Sequence, residues 1–256
     1  MRCGDAFHPG VMLATNSGGP GADQSAWLPG MLMFLRGFAT PTTAYDALLA
    51  PLRATGIDVV TPRWYGFDGY IGRYTAADEA RDTWALIRQL DRPTMVAGHS
   101  RGGQVAWRVA QLAADHERSS GGATNGAKAG DEAQAPPPLL SAIVLIDPVD
   151  GSGPRAHTAM ATSSPARFDY PTLIIGAGIG GRCAPAEGNH EVFAATTPQA
   201  EHLVIKDLGH ADLLNGRARG LGRRLCGGGP DPDAARERIS DLLTSFYLAH
   251  AQPGGG

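Results

Sequence analysis

One short stretch constrains this chain more than any other. Thr94-Met95-Val96-Ala97 has the pattern of a short apolar strand and runs straight into Gly98-His99-Ser100-Arg101-Gly102-Gly103. Gln104 to Ala114 follows, with Val105, Val109 and Leu112 on one helical face. A strand that becomes a helix inside a G-x-S-x-G sequence must turn so sharply that the flanking positions admit almost no side chain, a demand met by Gly98 and Gly102. Gly103 allows further close approach. The serine of such a turn is held in a strained backbone conformation with its Oγ above the sheet edge. The N-terminus of the helix beneath it supplies positive potential. Elsewhere the motif is common, and a glycine-rich turn holding an ordinary serine is its bland reading. Here the strand before it and the helix after it make Ser100 the expected nucleophile.

The same alternation surrounds the motif. Met31 to Leu35 is an unbroken apolar run, and Thr42 to Arg53 reads as a helix with Ala44, Leu48, Leu49 and Leu52 on one side and Gly56 as its stop. Ile57 to Val60 reads as a strand, and Thr75 to Leu90 as a helix opened by Thr75 and Asp78 in capping-box spacing. Further strands are expected at Ala142–Ile146, Thr172–Ile175 and Leu203–Lys206, and a closing helix at Ala234–Ala249 with Ile239, Leu242, Leu243 and Phe246 on one face. Strands that are apolar throughout are covered on both faces, which predicts an α/β architecture with a mostly parallel central sheet flanked by helices. One domain over residues 1–256 is expected. Residues 115–138 carry little to bury, and 118–138 is read as a flexible low-complexity surface insertion. Residues 1–25 are glycine-rich and read as loosely ordered, with one short strand at Val11–Ala14.

Composition narrows the partners. Lys and Arg number 22 against 25 Asp and Glu, a formal charge of −3 with no basic stripe, which argues against nucleic acid as a partner. No apolar run is long enough to span a bilayer. The opening residues MRCGDAFHPG lack the apolar segment of a signal peptide. Cys3, Cys183 and Cys226 form no spaced metal set; a Cys183–Cys226 bridge is one option, but reduced thiols are the expectation. Neither a cofactor nor a metal is called for.

A serine hydroxyl needs a base and an acid, which on such sheets usually follow it in the order acid, then histidine. Eight histidines compete. His8, His116 and His250 lie in poorly patterned or terminal stretches, His99 is adjacent to Ser100 and is expected to point away from it, and His202 reads as structural. His210 follows the strand Leu203–Lys206 after a short turn, at the carboxyl end of the strand where α/β sites gather, and is the expected base. Asp147 ends the strand Ala142–Ile146 and is the expected acid. Asp150 is the alternative, with turn-capping as its other role, and Asp169 and Glu187 are less well placed. The oxyanion of an ester attack would be held by the backbone N–H groups of Arg101 and of Phe38, on the loop after the first strand.

Four blocks now resemble a known family. Gly98-His99-Ser100-Arg101-Gly102-Gly103, Leu145-Ile146-Asp147-Pro148-Val149-Asp150-Gly151, Cys183-Ala184-Pro185 with Gly188-Asn189-His190, and Lys206-Asp207 with Gly209-His210-Ala211-Asp212 are similar, in this order, to the blocks of chlorophyllases. The resemblance spans roughly residues 31–250. It implies an α/β-hydrolase fold, a serine-dependent cleavage of the phytyl ester of chlorophyll to chlorophyllide and phytol, and a chloroplast setting. Three departures stand out. Arg36-Gly37-Phe38 replaces the family's usual His-Gly-Phe, the insertion lengthens the serine-to-acid spacing, and the N-terminal region is short beside plant members, as if an edge strand or targeting segment were absent or processed.

Trp64, Tyr65, Phe67 and Tyr70, on a glycine-jointed loop after a strand, are expected to wall an apolar pocket, with packing over the next helix as the alternative. Ile179, His190 and Phe193 are assigned to the same pocket, although His190 also reads as a loop anchor. The expected partner is chlorophyll or a related phytylated pigment as substrate, with transient membrane-surface contact but no basic amphipathic helix in view to make it. A broad carboxylesterase or lipase, and a non-catalytic pigment- or lipid-binding protein, are the competing functions. Oligomeric state is left open.

Overall fold

The computed structural model describes residues 30–63, 74–121, 138–151 and 160–250. Six parallel strands form one sheet: β1 (Met31–Leu35), β2 (Asp58–Val60), β3 (Thr94–His99), β4 (Leu140–Ile146), β5 (Thr172–Ile179) and β6 (Glu201–Gly209), in the order β2-β1-β3-β4-β5-β6. The helices are α1 (Asp46–Ala54), α2 (Ala76–Leu90), α3 (Arg101–Gly121), α4 (His190–Thr196), α5 (Gly216–Cys226) and α6 (Pro232–His250), and a 3-10 turn at Thr42–Tyr45 leads into α1.

Both faces of the sheet are buried, which is why its central strands read as continuous apolar runs. Leu32, Phe34, Met95, Ala97, Val144, Ile146 and Ile175 point to one side, where Leu48, Leu49 and Leu52 of α1 and Ile239 and Leu243 of α6 cover them. Their sequence neighbours Met33, Leu35, Val96, Ile143, Leu145 and Ile174 point to the other, against Trp84 and Ile87 of α2 and Val105, Val109 and Ala113 of α3. The period of two along each strand therefore sorts one apolar run into two cores. The register sets Leu35 beside Gly98 and Gly98 beside Leu145, so the loops after β1, β3 and β4 leave the sheet at one level. The chain goes one way from β1 to β2 and the other way from β3 onward, and ligand sites gather at such a switch point.

The capping box at Thr75 and Asp78 is present, and Gly56, at φ +87°, follows the end of α1. Several elements differ from expectation. β5 continues past Ile175 through Gly176-Ala177-Gly178, because the glycines meet close neighbours: a Cβ at Gly176 would lie 2.4 Å from the His190 ring and one at Gly178 2.4 Å from the Lys206 backbone. α3 runs on to Gly121, so the exposed stretch expected from 115 begins as helix; Arg118 there pairs with Asp115 and donates to the Arg167 carbonyl at 2.6 Å. α5 carries Gly216, Gly220 and Gly222, which weigh against a helix in sequence. Gly222 is required because a Cβ there would reach within 2.8 Å of the Ala211 methyl. The expectation of reduced thiols is corrected: Cys183 and Cys226 are bonded across a Cα–Cα distance of 4.9 Å, joining the turn after β5 to the end of α5. Residues 1–29, with the expected strand at Val11–Ala14, and most of the 118–138 insertion lie outside the described residues.

Candidate active site

The Ser100 turn is built by steric exclusion. Ser100 itself has φ +57°. A Cβ at Gly98 would sit 2.1 Å from the Gly102 carbonyl oxygen, and one at Gly102 would sit 2.2 Å from that of Leu35. Both obstacles are backbone, so neither can swing aside. The Ser100 carbonyl accepts from the amides of Gly103 (2.9 Å) and Val149 (3.1 Å), and its own amide donates to Ile146 (3.0 Å), tying the turn to the β4 exit.

The three side chains singled out in sequence meet here. The Ser100 hydroxyl donates to His210 Nε2 at 3.1 Å, and His210 Nδ1–H donates to Asp147 Oδ2 at 2.5 Å. Asp147 Oδ1 accepts the Ala177 amide at 3.0 Å, which fixes the plane of the carboxylate. Asp147 also holds a positive φ of 39°, and its amide donates to the Ile175 carbonyl at 2.6 Å. Burial alone would raise this carboxyl, but the hydrogen bond and charge of His210, with the Ala177 amide, outweigh it and hold the group below the usual carboxylate range. An ionised Asp147 selects the Nδ1–H tautomer and leaves Nε2 to accept the serine proton.

Asp150 is occupied elsewhere. Its carboxylate accepts from Gln104 Nε2 (2.6 Å), the amides of Gly151 (3.0 Å), Ala161 (2.9 Å) and Thr162 (2.7 Å), and the Thr162 hydroxyl (2.7 Å). It organises the chain entering the segment after β4 rather than facing His210.

Two features escaped the sequence reading. His99 does turn away from Ser100, yet its Nε2–H donates to the His210 carbonyl at 2.9 Å and its Nδ1 accepts the Tyr45 hydroxyl at 2.8 Å. That hydroxyl accepts the Gly37 amide at 2.9 Å. A buried chain thus links the loop bearing Phe38 to the backbone of His210. Burial, reinforced by the nearby His210, pushes His99 down to about 3, so it is a neutral strut. The second feature is a fully buried ion pair between Arg101 and Glu79 of α2, which anchors the residue after the serine. No local pattern joins Tyr45 or Glu79 to the motif; only the fold does.

Phe38 lies on the loop after β1 and Arg101 opens α3, on either side of the serine; a Cβ at Gly37 would be 3.4 Å from that of Ser100. Arg36, the departure from the family sequence, is buried and donates to the Thr40 carbonyl at 3.1 Å within its own loop.

Two of the pocket assignments, Phe193 and His190, need correction. Phe193 is fully buried against Trp107, with ring centroids 6.4 Å apart, because α4 packs its apolar side into the α2–α3 core layer. His190 is buried over Gly176, and its Nδ1 lies 2.9 Å from His202 Nε2, which makes it an anchor of α4 on the sheet. Burial and the adjacent His190 hold His202 below the usual histidine range. Ile179 braces the His210 turn: its carbonyl accepts the His210 amide at 3.2 Å, and its side chain lies against Gly227. Trp64, Tyr65, Phe67 and Tyr70 lie outside the described residues. A cavity of roughly 700 Å³ opens between α2, α3 and the segment from Met160 to Pro165, lined in part by Ala80, Trp107, Leu112 and Ala161.

A family model for chlorophyllases matches residues 28–252. Chlorophyllase-2 of Arabidopsis thaliana is 27% identical over 255 residues, spanning 87% of this chain and 73% of its own length. A chlorophyllase-1 of Citrus unshiu, named as chloroplastic, is 25% identical over 244 residues, spanning 84% of this chain and 67% of its own. Among solved structures, an α/β hydrolase enzyme from a lagoon-sediment metagenome (Mar Chica, Morocco) has a TM-score of 0.58 at 14% identity, over 86% of this chain and 91% of that one. Esterase 2 of Thermogutta terrifontis has a TM-score of 0.57 at 14% identity, over 90% of this chain and 86% of its own. At such identities the structural likeness speaks to the fold, which is that of the α/β hydrolases. The family match runs from the residues before β1 to beyond the end of α6, and the chain belongs to the chlorophyllase family.

Proposed function

We propose that this chain is a serine ester hydrolase whose substrate is the phytyl ester of chlorophyll. The observation that carries the catalytic half of this reading is the continuous chain Ser100–His210–Asp147 at 3.1 and 2.5 Å, buried at the carboxyl edge of the sheet. His210 takes the hydroxyl proton as Ser100 Oγ bonds to the ester carbonyl carbon. The backbone N–H groups of Arg101 and Phe38 receive the oxyanion, each worth about 3 kcal/mol in the transition state. His210 then protonates the departing phytol oxygen as the acyl–oxygen bond breaks. A water deprotonated by His210 attacks the acyl-serine, and the proton returned to Ser100 Oγ releases chlorophyllide. Asp147 keeps the imidazole oriented and stabilises its charged form throughout.

The family membership supports the ester-hydrolase class, and the four sequence blocks support the pigment as substrate. The chloroplastic chlorophyllase-1 of Citrus unshiu supports a plastid as the site of action. The nearest competing reading is a carboxylesterase or lipase working on other long-chain esters. Incubation with purified chlorophyll and with simple acyl esters separates the two, and phytol release is the expected product of the first. Ser100→Ala is expected to lower turnover by roughly a millionfold and to abolish covalent labelling by a serine-directed organophosphonate. Near wild-type turnover by that variant would remove the nucleophile from this account.

A further inference from the structure

α5 is a surface helix of unusual make-up. None of its 11 residues is buried, and its Gly222 packs against Ala211, the residue after His210. It follows the His210 turn; the Asn215 amide that precedes it donates to Ala44 at 2.8 Å, and its last residue is bonded to Cys183. Its inward side is fully used. Ala218 packs on the core, Arg219 pairs with Asp233 at 2.8 Å, and Arg223 pairs with buried Asp212.

The outward side is different. Arg217, Leu221 and Leu225 follow one another at spacings of four, with Arg224 three residues after Leu221, and the four share a stripe. Leu221 is 62% and Leu225 61% exposed. Among the described residues neither Arg217 nor Arg224 has a carboxylate within salt-bridge reach, and exposed Arg182 lies on the turn tethered to the helix end. Phe38, 41% exposed on the loop that precedes the Thr42–Tyr45 turn, is a further exposed aromatic ring.

We propose that this stripe is a docking surface for an anionic membrane, with Leu221 and Leu225 immersed at the acyl boundary and Arg217, Arg224 and Arg182 on the headgroups. Leucines flanked by arginines on a short helix with a polar inner face have the physics of an interfacial helix: apolar burial and headgroup attraction act on one stripe, and arginine stems lie along the apolar layer while their charges reach outward. The charge is complementary to an anionic leaflet, because the inner arginines are already neutralised by Asp212 and Asp233 and the outer ones are not. The proposal rests on the reading of a lipid-borne ester as substrate, since a helix beside the site would then present the cleft to the layer in which that ester resides.

The test is cosedimentation of the full chain with vesicles of phosphatidylcholine alone and of phosphatidylcholine mixed with phosphatidylglycerol, without pigment. Binding is expected to the anionic vesicles and to weaken with salt. Arg217→Ala and Arg224→Ala should each lower it roughly fivefold. Arg217→Lys with Arg224→Lys should preserve it, and Leu221→Gln with Leu225→Gln should abolish it. Cleavage of a soluble short-chain ester should be unchanged in every variant, which also reports folding. Equal partition of wild type and of both alanine variants, or no preference for anionic vesicles, would overturn the docking surface. Loss of ester cleavage by the wild-type chain with vesicle binding intact would instead overturn the hydrolase reading alone.

Discussion

The two arms of the Ser100–His210 contact are held by different kinds of force. Ser100 sits where backbone sterics leave one path: the space at Gly98 is filled by Gly102 within the motif, and that at Gly102 by Leu35 at the end of β1. His210 is held chiefly by hydrogen bonds: from far away in sequence, the Ile179 carbonyl on its amide, His99 on its carbonyl and Asp147 on its ring, and from close by, Asp212 on the amide of Gly209 before it. The serine turn is thus set mainly by steric exclusion, within its motif and at the β1 exit, whereas the histidine turn is set mainly by hydrogen bonds that reach across the sheet. The arms should fail differently when they are broken.

Among substitutions that keep Ser100, the largest effect is expected on the His210 arm. Asp147→Asn should lower kcat by roughly ten-thousandfold, because the amide no longer selects the Nδ1–H tautomer, while the backbone contacts of the turn survive. Asp150→Asn should show the opposite profile, a loss of stability of about 2 kcal/mol, as the side chain loses its charge and presents an amide N–H to a shell of donors, with a far smaller kinetic change. Kinetics and urea denaturation of both variants decide the matter; a kinetic collapse in Asp150→Asn alone would exchange the two roles.

On the serine arm, Gly98→Ala should destabilise the fold by about 3 kcal/mol or more, because its Cβ would meet backbone at 2.1 Å and the strand or helix must shift. Activity should fall with stability, in contrast to Asp147→Asn. A variant as stable as wild type would show that the elbow is looser than its geometry implies.

This contrast also explains what could be read in the sequence. The strands, the capping box and Ser100 are local patterns, and Asp147 and His210 could be found because each ends a strand at the expected edge. Tyr45, Glu79 and the role of His99 could not, since each acts only through contacts made across the folded sheet. Phe193 does not line a pocket, and sequence could not show this, because an apolar residue in a long connection looks the same whether it lines a cleft or packs under a short helix, while for His190 the anchor reading holds and the pocket one does not. α5 was hidden by its glycines, and the Cys183–Cys226 pair by a separation of 43 residues with no spacing signal.

His99 offers a pH-dependent test of the strut. Its folded value, about 3, lies below the ordinary 6.5, so the unfolded chain binds one more proton between those limits. Its contribution to stability is complete above about pH 6.5 and is lost as pH falls toward 3, at about 1.4 kcal/mol per pH unit. His99→Gln should remove this part of the acid sensitivity while keeping a donor for the His210 carbonyl. Urea unfolding between about pH 6.5 and pH 4 should bring the two stability curves together by about 3 kcal/mol as pH falls. Parallel curves would mean that His99 is not a buried neutral group.

The smallest expected effect lies on the link between the arms. The Tyr45 hydroxyl accepts the Gly37 amide and donates to His99, so Tyr45→Phe leaves one buried donor and one buried acceptor without that partner. Stability should fall by about 2 kcal/mol. If the link positions the Phe38 loop and His210 together, kcat should fall several-fold with KM nearly constant, since the serine turn and the pocket keep their own supports. The readout that separates positioning from simple destabilisation is kcat measured well below the melting temperature, where the chain is fully folded. A kcat equal to wild type under those conditions would confine Tyr45 to the core and leave the two arms mechanically independent.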